Sequence, residues 1–169
     1  MNALSAPWGA DRVVVGLGSP FLGDDGVGPQ LVRLLAQHHR PGVRLVEAHA
    51  GGLLLLDELA GARQAIIVDA LLDGRRTPGE VLVAGMEGDS CHATCSHDCS
   101  LPQALAIGRA MGMSLPDDQH IHLVAIVAAE VSLFTEVLSP QVAASLPQAC
   151  QTVLQLIDGN VHFDDGGSA

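Results

Sequence analysis

Aromatic side chains are scarce in this sequence of 169 residues: they make up 2% of it, and tyrosine is absent. Modules that bind nucleic acids by base stacking depend on aromatic platforms, so this scarcity argues against that class. Basic residues are also few, because eight of them stand against nineteen acidic residues and give a formal net charge of −11. A surface of this charge repels phosphate backbones and anionic lipids. We therefore expect no nucleic-acid partner and no membrane partner.

Long apolar runs are missing as well. None reaches the roughly 18 to 20 residues that a membrane-spanning helix needs, and residues 1–11 lack the basic start and apolar core of a signal peptide. These absences predict a cytoplasmic protein, in which the four cysteines are thiols or metal ligands rather than disulfides. Hydrophobic residues nevertheless make up 48% of the chain, which excludes global disorder and predicts an aliphatic core.

Short apolar runs alternate with segments of helical periodicity, a pattern typical of α/β folds. Strands are predicted at 12–18, 43–48, 64–70, 80–84 and 120–129, and helices at 29–38, 53–59, 101–111 and 139–157. Because continuous apolar runs indicate strands covered on both faces, we expect a three-layer α/β sandwich with a mostly parallel sheet flanked by helices. We expect a single domain over 12–157, between a flexible N-terminus (1–11) and a flexible acidic tail (158–169).

Polar groups follow several of the predicted strands and should meet at the carboxyl edge of the sheet, where α/β proteins bind ligands. Asp25 precedes the first helix, where a helix cap is the simpler interpretation; the glycines around it allow a close backbone approach and favour a functional role. Asp69 ends a buried strand, where it either hydrogen-bonds its loop or binds a cation. Glu47 and His49 end the second strand, as ordinary loop groups or as part of the cleft lining.

A polar loop at 86–100 contains His97 and three cysteines. An imidazole together with two carboxylates is a coherent ligand set for nickel or zinc. Alternatively, Cys91, Cys95 and Cys99 belong to a self-contained zinc loop, although such sites usually pair two cysteines with a distant second half. Loop thiols without an essential role are the third interpretation, and the residues alone leave these alternatives open.

Several familiar motifs are absent. After Gly16-Leu-Gly18, Phe21 occupies the third glycine position of a dinucleotide-binding loop. Asp24 and Asp25 stand where a phosphate would meet the helix N-terminus, and they favour a cation there. The sequence also has no Gly-x-Ser-x-Gly elbow and no His-Glu-x-x-His helix. A nucleotide-binding module, a serine hydrolase and a typical zinc peptidase are therefore disfavoured.

Three segments together resemble the hydrogenase maturation proteases, the endopeptidases of nickel–iron hydrogenase assembly. They are the glycine-rich segment 14–28, the strand end Ile67-Val-Asp69-Ala, and Ser96-His97 ahead of Leu101-Pro-Gln-Ala. The resemblance runs over about 12–157 and implies a twisted sheet flanked by helices. Where the family often has asparagine, this chain has Ser19, so a loop hydrogen bond is expected to differ.

The resemblance implies an endopeptidase that removes the C-terminal extension of a hydrogenase large-subunit precursor once nickel is in place there. The family's metal-binding acids and histidine fall on Asp25, Asp69 and His97 of this sequence. Either aspartate is then a candidate catalytic general base, and nickel is a recognition element borne by the substrate rather than a resident cofactor. We expect a monomer that docks transiently on its precursor. The alternatives are a non-catalytic metal-binding maturation chaperone and a Cys/His zinc-loop protein.

Overall fold

The computed structural model describes residues 11–38, 40–86 and 100–159. All of the predicted strands and helices are present, with ends that differ by a few residues. The strands are β1 (Arg12–Leu17), β2 (Val43–Ala48), β3 (Gln64–Leu71), β4 (Val81–Gly85) and β5 (Ile121–Val127). The helices are α1 (Val27–Leu35), α2 (Leu55–Leu59), α3 (Leu101–Ala110) and α4 (Pro140–Ile157), and short 3-10 turns lie at Gly23–Gly26, Gly52–Leu54 and Asp118–His120.

Within the described residues, five strands form a sheet in the order β2-β1-β3-β5-β4. β2, β1, β3 and β5 are parallel, whereas β4 at one edge pairs antiparallel with β5. The predicted mostly parallel sheet is thus confirmed. The four parallel strands all end at the same edge of the sheet, so the segments that follow them lie close together.

Helices cover both faces of this sheet. Alternate residues of a strand point to opposite faces, so Val14 and Ile66 enter one buried cluster together with side chains of α1 and α4. Val15 and Ile67 enter a second cluster on the other face, together with side chains of α2 and α3. The two clusters are almost wholly aliphatic, as the composition requires, and they confirm the three-layer sandwich.

Two glycines bring the start of α1 into contact with the sheet backbone. A Cβ atom on Gly16 would lie 2.2 Å from the Gly28 carbonyl oxygen, and one on Gly28 would lie 2.4 Å from that of Leu17 and 2.7 Å from that of Val68. Such distances leave no room for a side chain. These glycines allow a close approach, but what they approach is the protein's own backbone rather than a ligand.

The last helix, α4, begins at Pro140, directly after Ser139. Proline is favoured at this place because its fixed φ suits a helix and its missing N–H would have had no partner within the helix.

Among residues 11–38, 40–86 and 100–159, no helix is both long and apolar enough to cross a bilayer.

Candidate active site

The first predicted site residue, Asp25, lies in the 3-10 turn at Gly23–Gly26 that connects the β1 end to α1. This turn contacts β3 as well as α1. Because Gly28 packs on the backbone of both β1 and β3, the turn is held over the carboxyl ends of these two neighbouring strands. Asp25 is therefore at the sheet edge where the sequence places it.

The half-buried Asp25 carboxylate is wrapped by the chain that follows β1. Its Oδ2 accepts a hydrogen bond of 2.6 Å from the Ser19 backbone N–H. Gly18 has a φ of +128°, and a Cβ atom there would lie 1.9 Å from the Asp25 carbonyl oxygen. The change expected at Ser19 does not affect this bond, because the backbone rather than the side chain is the donor.

The second predicted site residue, Asp69, is located near the carboxyl end of β3 and is only 8% exposed. Its Oδ1 accepts a 2.8 Å hydrogen bond from the backbone N–H of the next residue, Ala70. The pKa of Asp69 is raised to about 7. Burial, which disfavours the charged form, is the largest cause; the hydrogen bond from Ala70 lowers the pKa, and the negative charge of Asp25 adds to the rise. The two carboxylates thus interact electrostatically, and Asp69 titrates near neutral pH.

Such a pair has two chemical uses. A carboxyl group that titrates near pH 7 can take up and release a proton during hydrolysis. It can also exchange its proton for a metal cation, which relieves the repulsion between the two acids. Ion-pair networks that are purely structural perturb pKa values too, but among the described residues no Arg or Lys acts on the pKa of Asp69.

Asp24, the neighbour of Asp25, has a different role from the one its sequence position indicates. It is 1% exposed, and its Oδ2 accepts hydrogen bonds from the backbone N–H groups of Ala129 (2.8 Å) and Glu130 (3.2 Å). It also accepts from the backbone N–H and the hydroxyl of Ser139, at 2.6 and 2.9 Å. Asp24 therefore ties the site turn to the loop after β5 and to the start of α4, and is not placed to repel a ligand.

The remaining sequence candidates fall into three groups. His97 and the cysteines Cys91, Cys95 and Cys99 lie outside the described residues. Glu47 forms an ion pair with Arg33, with a shortest distance of 2.6 Å. His49 contacts the glycine turn, since its Nδ1 lies 3.1 Å from the Gly18 carbonyl oxygen.

No group of three or more His, Cys, Asp and Glu side chains that could hold a metal is found in the part of the chain that the structure describes. Among the described residues, the site therefore supplies only a carboxylate pair. The hypothesis of a three-ligand set with His97 stays a prediction.

Exposed apolar side chains surround this edge of the sheet. Phe21 is 51% exposed and Phe134 is 82% exposed, and their rings stack with centroids 6.4 Å apart. Leu133 and Val137 on the same loop after β5, and Leu72 after β3, are also exposed. Sequence reasoning missed this surface, because the residues lie in loops without a periodic pattern.

The fold is similar to that of several solved endopeptidases of hydrogenase maturation. The hydrogenase maturating endopeptidase HybD from E. coli superposes with a TM-score of 0.71, at 23% identity, over 88% of this chain and 92% of that one. The [NiFe] hydrogenase maturation protease HybD from Thermococcus kodakarensis gives 0.67, at 25% identity, over 86% and 97%. The maturation protease HycI from the same archaeon gives 0.66, at 18% identity, over 90% and 95%.

The sequence supports the same assignment. The family model for hydrogenase maturation proteases (HycI) matches residues 29–156, which is most of the chain. The chain therefore belongs to the hydrogenase maturation protease family. The matched segment contains Asp69 and the position of His97, whereas Asp25 lies just before it. A search of the curated proteins found no match.

Proposed function

We propose that this chain removes the C-terminal extension of a nickel–iron hydrogenase large-subunit precursor, and that it acts only when nickel is bound in the precursor. In this proposal Asp25, Asp69 and His97 contact the nickel ion, which belongs to the substrate. The observation that carries the proposal is the buried Asp69, with its pKa raised to about 7 beside a second carboxylate, in a chain of the maturation protease family.

The carboxylate pair explains why a substrate-borne metal would be recognised. Without a metal, Asp69 holds a proton at neutral pH or repels Asp25. A divalent cation presented by the precursor replaces this proton and neutralises both acids. Two carboxylates and an imidazole leave coordination positions to the precursor's own ligands, so the isolated enzyme is expected to bind free nickel only weakly.

The same pair can carry the proton of the hydrolysis. Water adds through its oxygen to the scissile carbonyl carbon and loses a proton, the carbon–nitrogen bond then breaks, and the departing amine takes up a proton. We propose that the Asp25–Asp69 pair accepts the proton of the water and returns it to the amine. The substrate's nickel would polarise the carbonyl or the water as a Lewis acid.

The apolar surroundings of the pair support a protein substrate. Exposed apolar patches on soluble proteins mark interaction sites, and here Phe21, Leu133 and Phe134 lie on the loops that hold the Asp25 turn. These groups offer a folded precursor contacts that a small polar substrate would not use. Recognition would thus combine apolar contact with metal contact.

The test is to incubate the purified chain with nickel-loaded and nickel-free precursor and to follow the precursor's intact mass. We expect loss of the C-terminal extension only from the nickel-loaded form, and no cleavage with Asp25→Asn or Asp69→Asn. Asp117→Asn is the matched control, because Asp117 is exposed and lies before β5, at the opposite edge of the sheet. Stable binding without cleavage by the unmodified chain would refute the peptidase and support a maturation chaperone.

A separate measurement addresses the cysteine loop. Tight stoichiometric zinc in the purified chain that survives His97→Ala but is lost with Cys95→Ala would support a zinc-loop protein and contradict the ligand set proposed here. A metal-free purified chain that is active on nickel-loaded precursor, and inactive after His97→Ala, is the expected result.

A further inference from the structure

The side chain of His49 reaches the glycine turn of the candidate site from the neighbouring strand. His49 directly follows β2, the parallel neighbour of β1, and its Nδ1 lies 3.1 Å from the Gly18 carbonyl oxygen. A carbonyl oxygen only accepts hydrogen bonds, so this contact requires the proton to be on Nδ1. The bond therefore selects the Nδ1–H tautomer of the neutral imidazole.

His49 and Asp25 form hydrogen bonds to the same peptide unit, the one between Gly18 and Ser19. The Gly18 carbonyl and the Ser19 N–H are the two ends of one planar group, and that N–H donates to Asp25 Oδ2 at 2.6 Å. When a hydrogen bond is donated to the carbonyl of an amide, the amide is polarised and its N–H becomes a stronger donor. His49 and Asp25 are thus coupled through a single peptide group, although they do not have to touch.

Local backbone preference does not fix the orientation of this peptide group. Gly18 has a φ of +128°, in a region open mainly to glycine, and glycine itself has wide conformational freedom. The turn is held instead by hydrogen bonds: His49 holds the Gly18 carbonyl, and the Gly18 N–H donates to the Ala48 carbonyl at 3.0 Å. Without the imidazole, one of the two ties to the end of β2 is lost.

We propose that His49 is a positioning residue for the proteolytic site, because its Nδ1–H orients the Gly18–Ser19 peptide so that the Ser19 N–H fixes the Asp25 carboxylate. The role in catalysis rests on the proposed function, whereas the coupling itself does not. Groups that orient a metal-contacting side chain from outside typically affect affinity or activity by about 10- to 100-fold. Because His49 is exposed to water, which competes for its bond, we expect about a 10-fold loss at the low end of this range.

The coupling is tested by NMR on the isolated protein at pH 8, so that it can be judged even if no cleavage is ever found. Long-range proton–nitrogen correlation of the His49 ring should show the Nδ1–H tautomer. His49→Ala should move the resonance of the Ser19 amide proton upfield. His49→Asn keeps a donor near the place of Nδ1 and should largely restore the parent chemical shift. His38→Ala is the control for the loss of an exposed histidine and should leave the Ser19 resonance in place. An Nε2–H tautomer of His49, or a Ser19 amide chemical shift that does not change in His49→Ala, would overturn the coupling.

The catalytic role is tested with the same variants on nickel-loaded precursor under saturating conditions. His49→Ala should lower kcat about 10-fold, because a less firmly held Asp25 carboxylate transfers the proton of the hydrolysis less effectively. His49→Asn should recover most of the rate. Thermal unfolding of all variants serves as the folding check. A His49→Ala enzyme with full kcat would overturn the role, and so would a loss that tracks unfolding and is not rescued by asparagine. If the unmodified chain itself shows no cleavage, the proposed function fails, and the NMR result still decides the coupling.

Discussion

Replacement of Asp69 by asparagine should stabilise the metal-free protein at pH 8. The carboxyl is buried, and its pKa is raised from 3.8 to about 7 in the folded chain. Between these two pH values the unfolded chain has lost the proton and the folded chain keeps it. The folded state thus binds more protons there, and the free energy of unfolding falls as the pH rises through this window.

The magnitude follows from the size of the shift. One pKa unit corresponds to about 1.4 kcal/mol, so the rise from 3.8 to about 7 is worth about 4 kcal/mol once the folded carboxyl is fully ionised. The Asp69→Asn variant has no such group, and its side-chain oxygen can still accept from the Ala70 N–H. The difference in unfolding free energy between variant and parent should therefore grow in favour of the variant by about 4 kcal/mol from pH 4 to pH 8.

The assay is urea unfolding followed by circular dichroism at several pH values in the presence of a chelator. Groups that titrate in both proteins cancel in the difference, and Asp117→Asn reports what the loss of an exposed carboxylate does. When Asp25→Asn is also present, the change with pH in the stability difference caused by Asp69→Asn should be smaller but still measurable, because burial contributes more to the raised pKa of Asp69 than the charge of Asp25 does. A difference that stays constant with pH would refute the assignment of a buried, neutral-pH carboxyl at the end of β3.

Three further predictions concern the residues that hold the site turn in place and the exposed apolar side chains around it. Asp24→Ala should lower the free energy of unfolding by at least about 3 kcal/mol in urea titrations, because four hydrogen bonds to one buried carboxylate are lost. Gly16→Ala should lower the free energy of unfolding by about 1 to 3 kcal/mol in the same assay, because the new Cβ would lie 2.2 Å from a backbone oxygen. Gly74→Ala is the control and should leave the stability nearly unchanged, because a Cβ there has nothing within 4 Å. Phe134→Ser should raise KM for the precursor and leave kcat and stability nearly unchanged, while Met111→Ser, equally exposed but at the end of α3, should change neither constant.

The sequence predicts those parts of the fold that depend on residues close together along the chain. Runs such as Ile66–Val68 are apolar without alternation, which identifies strands covered on both faces, and Pro140 after Ser139 marks the start of the last helix. Because parallel strands end at one edge, the sequence also places Asp25 and Asp69 on the same edge. The antiparallel direction of β4 is not visible in the apolar pattern of β4 itself. It agrees with the short connection 72–80 after β3, because a parallel crossover needs a dozen or more residues.

The parts that the sequence does not predict depend on tertiary contacts. Asp24 and Asp25 are adjacent and chemically identical, yet one is enclosed by donors from the loop after β5 and the other faces the site edge. Similarly, Glu47 near the end of β2 and His49 directly after it are close neighbours, but Glu47 pairs with Arg33 and His49 contacts the glycine turn. No local pattern distinguishes the members of either pair, because their partners lie far away along the chain.

The most direct test of the central claim, that this carboxylate pair meets a metal ion brought by the substrate, is nickel X-ray absorption on freeze-quenched mixtures. Addition of the enzyme to nickel-loaded precursor should add oxygen or nitrogen ligands to the nickel spectrum before cleavage, and the Asp25→Asn, Asp69→Asn double variant should add fewer. Cleavage that proceeds while the nickel spectrum shows no new ligand from the enzyme would contradict the account.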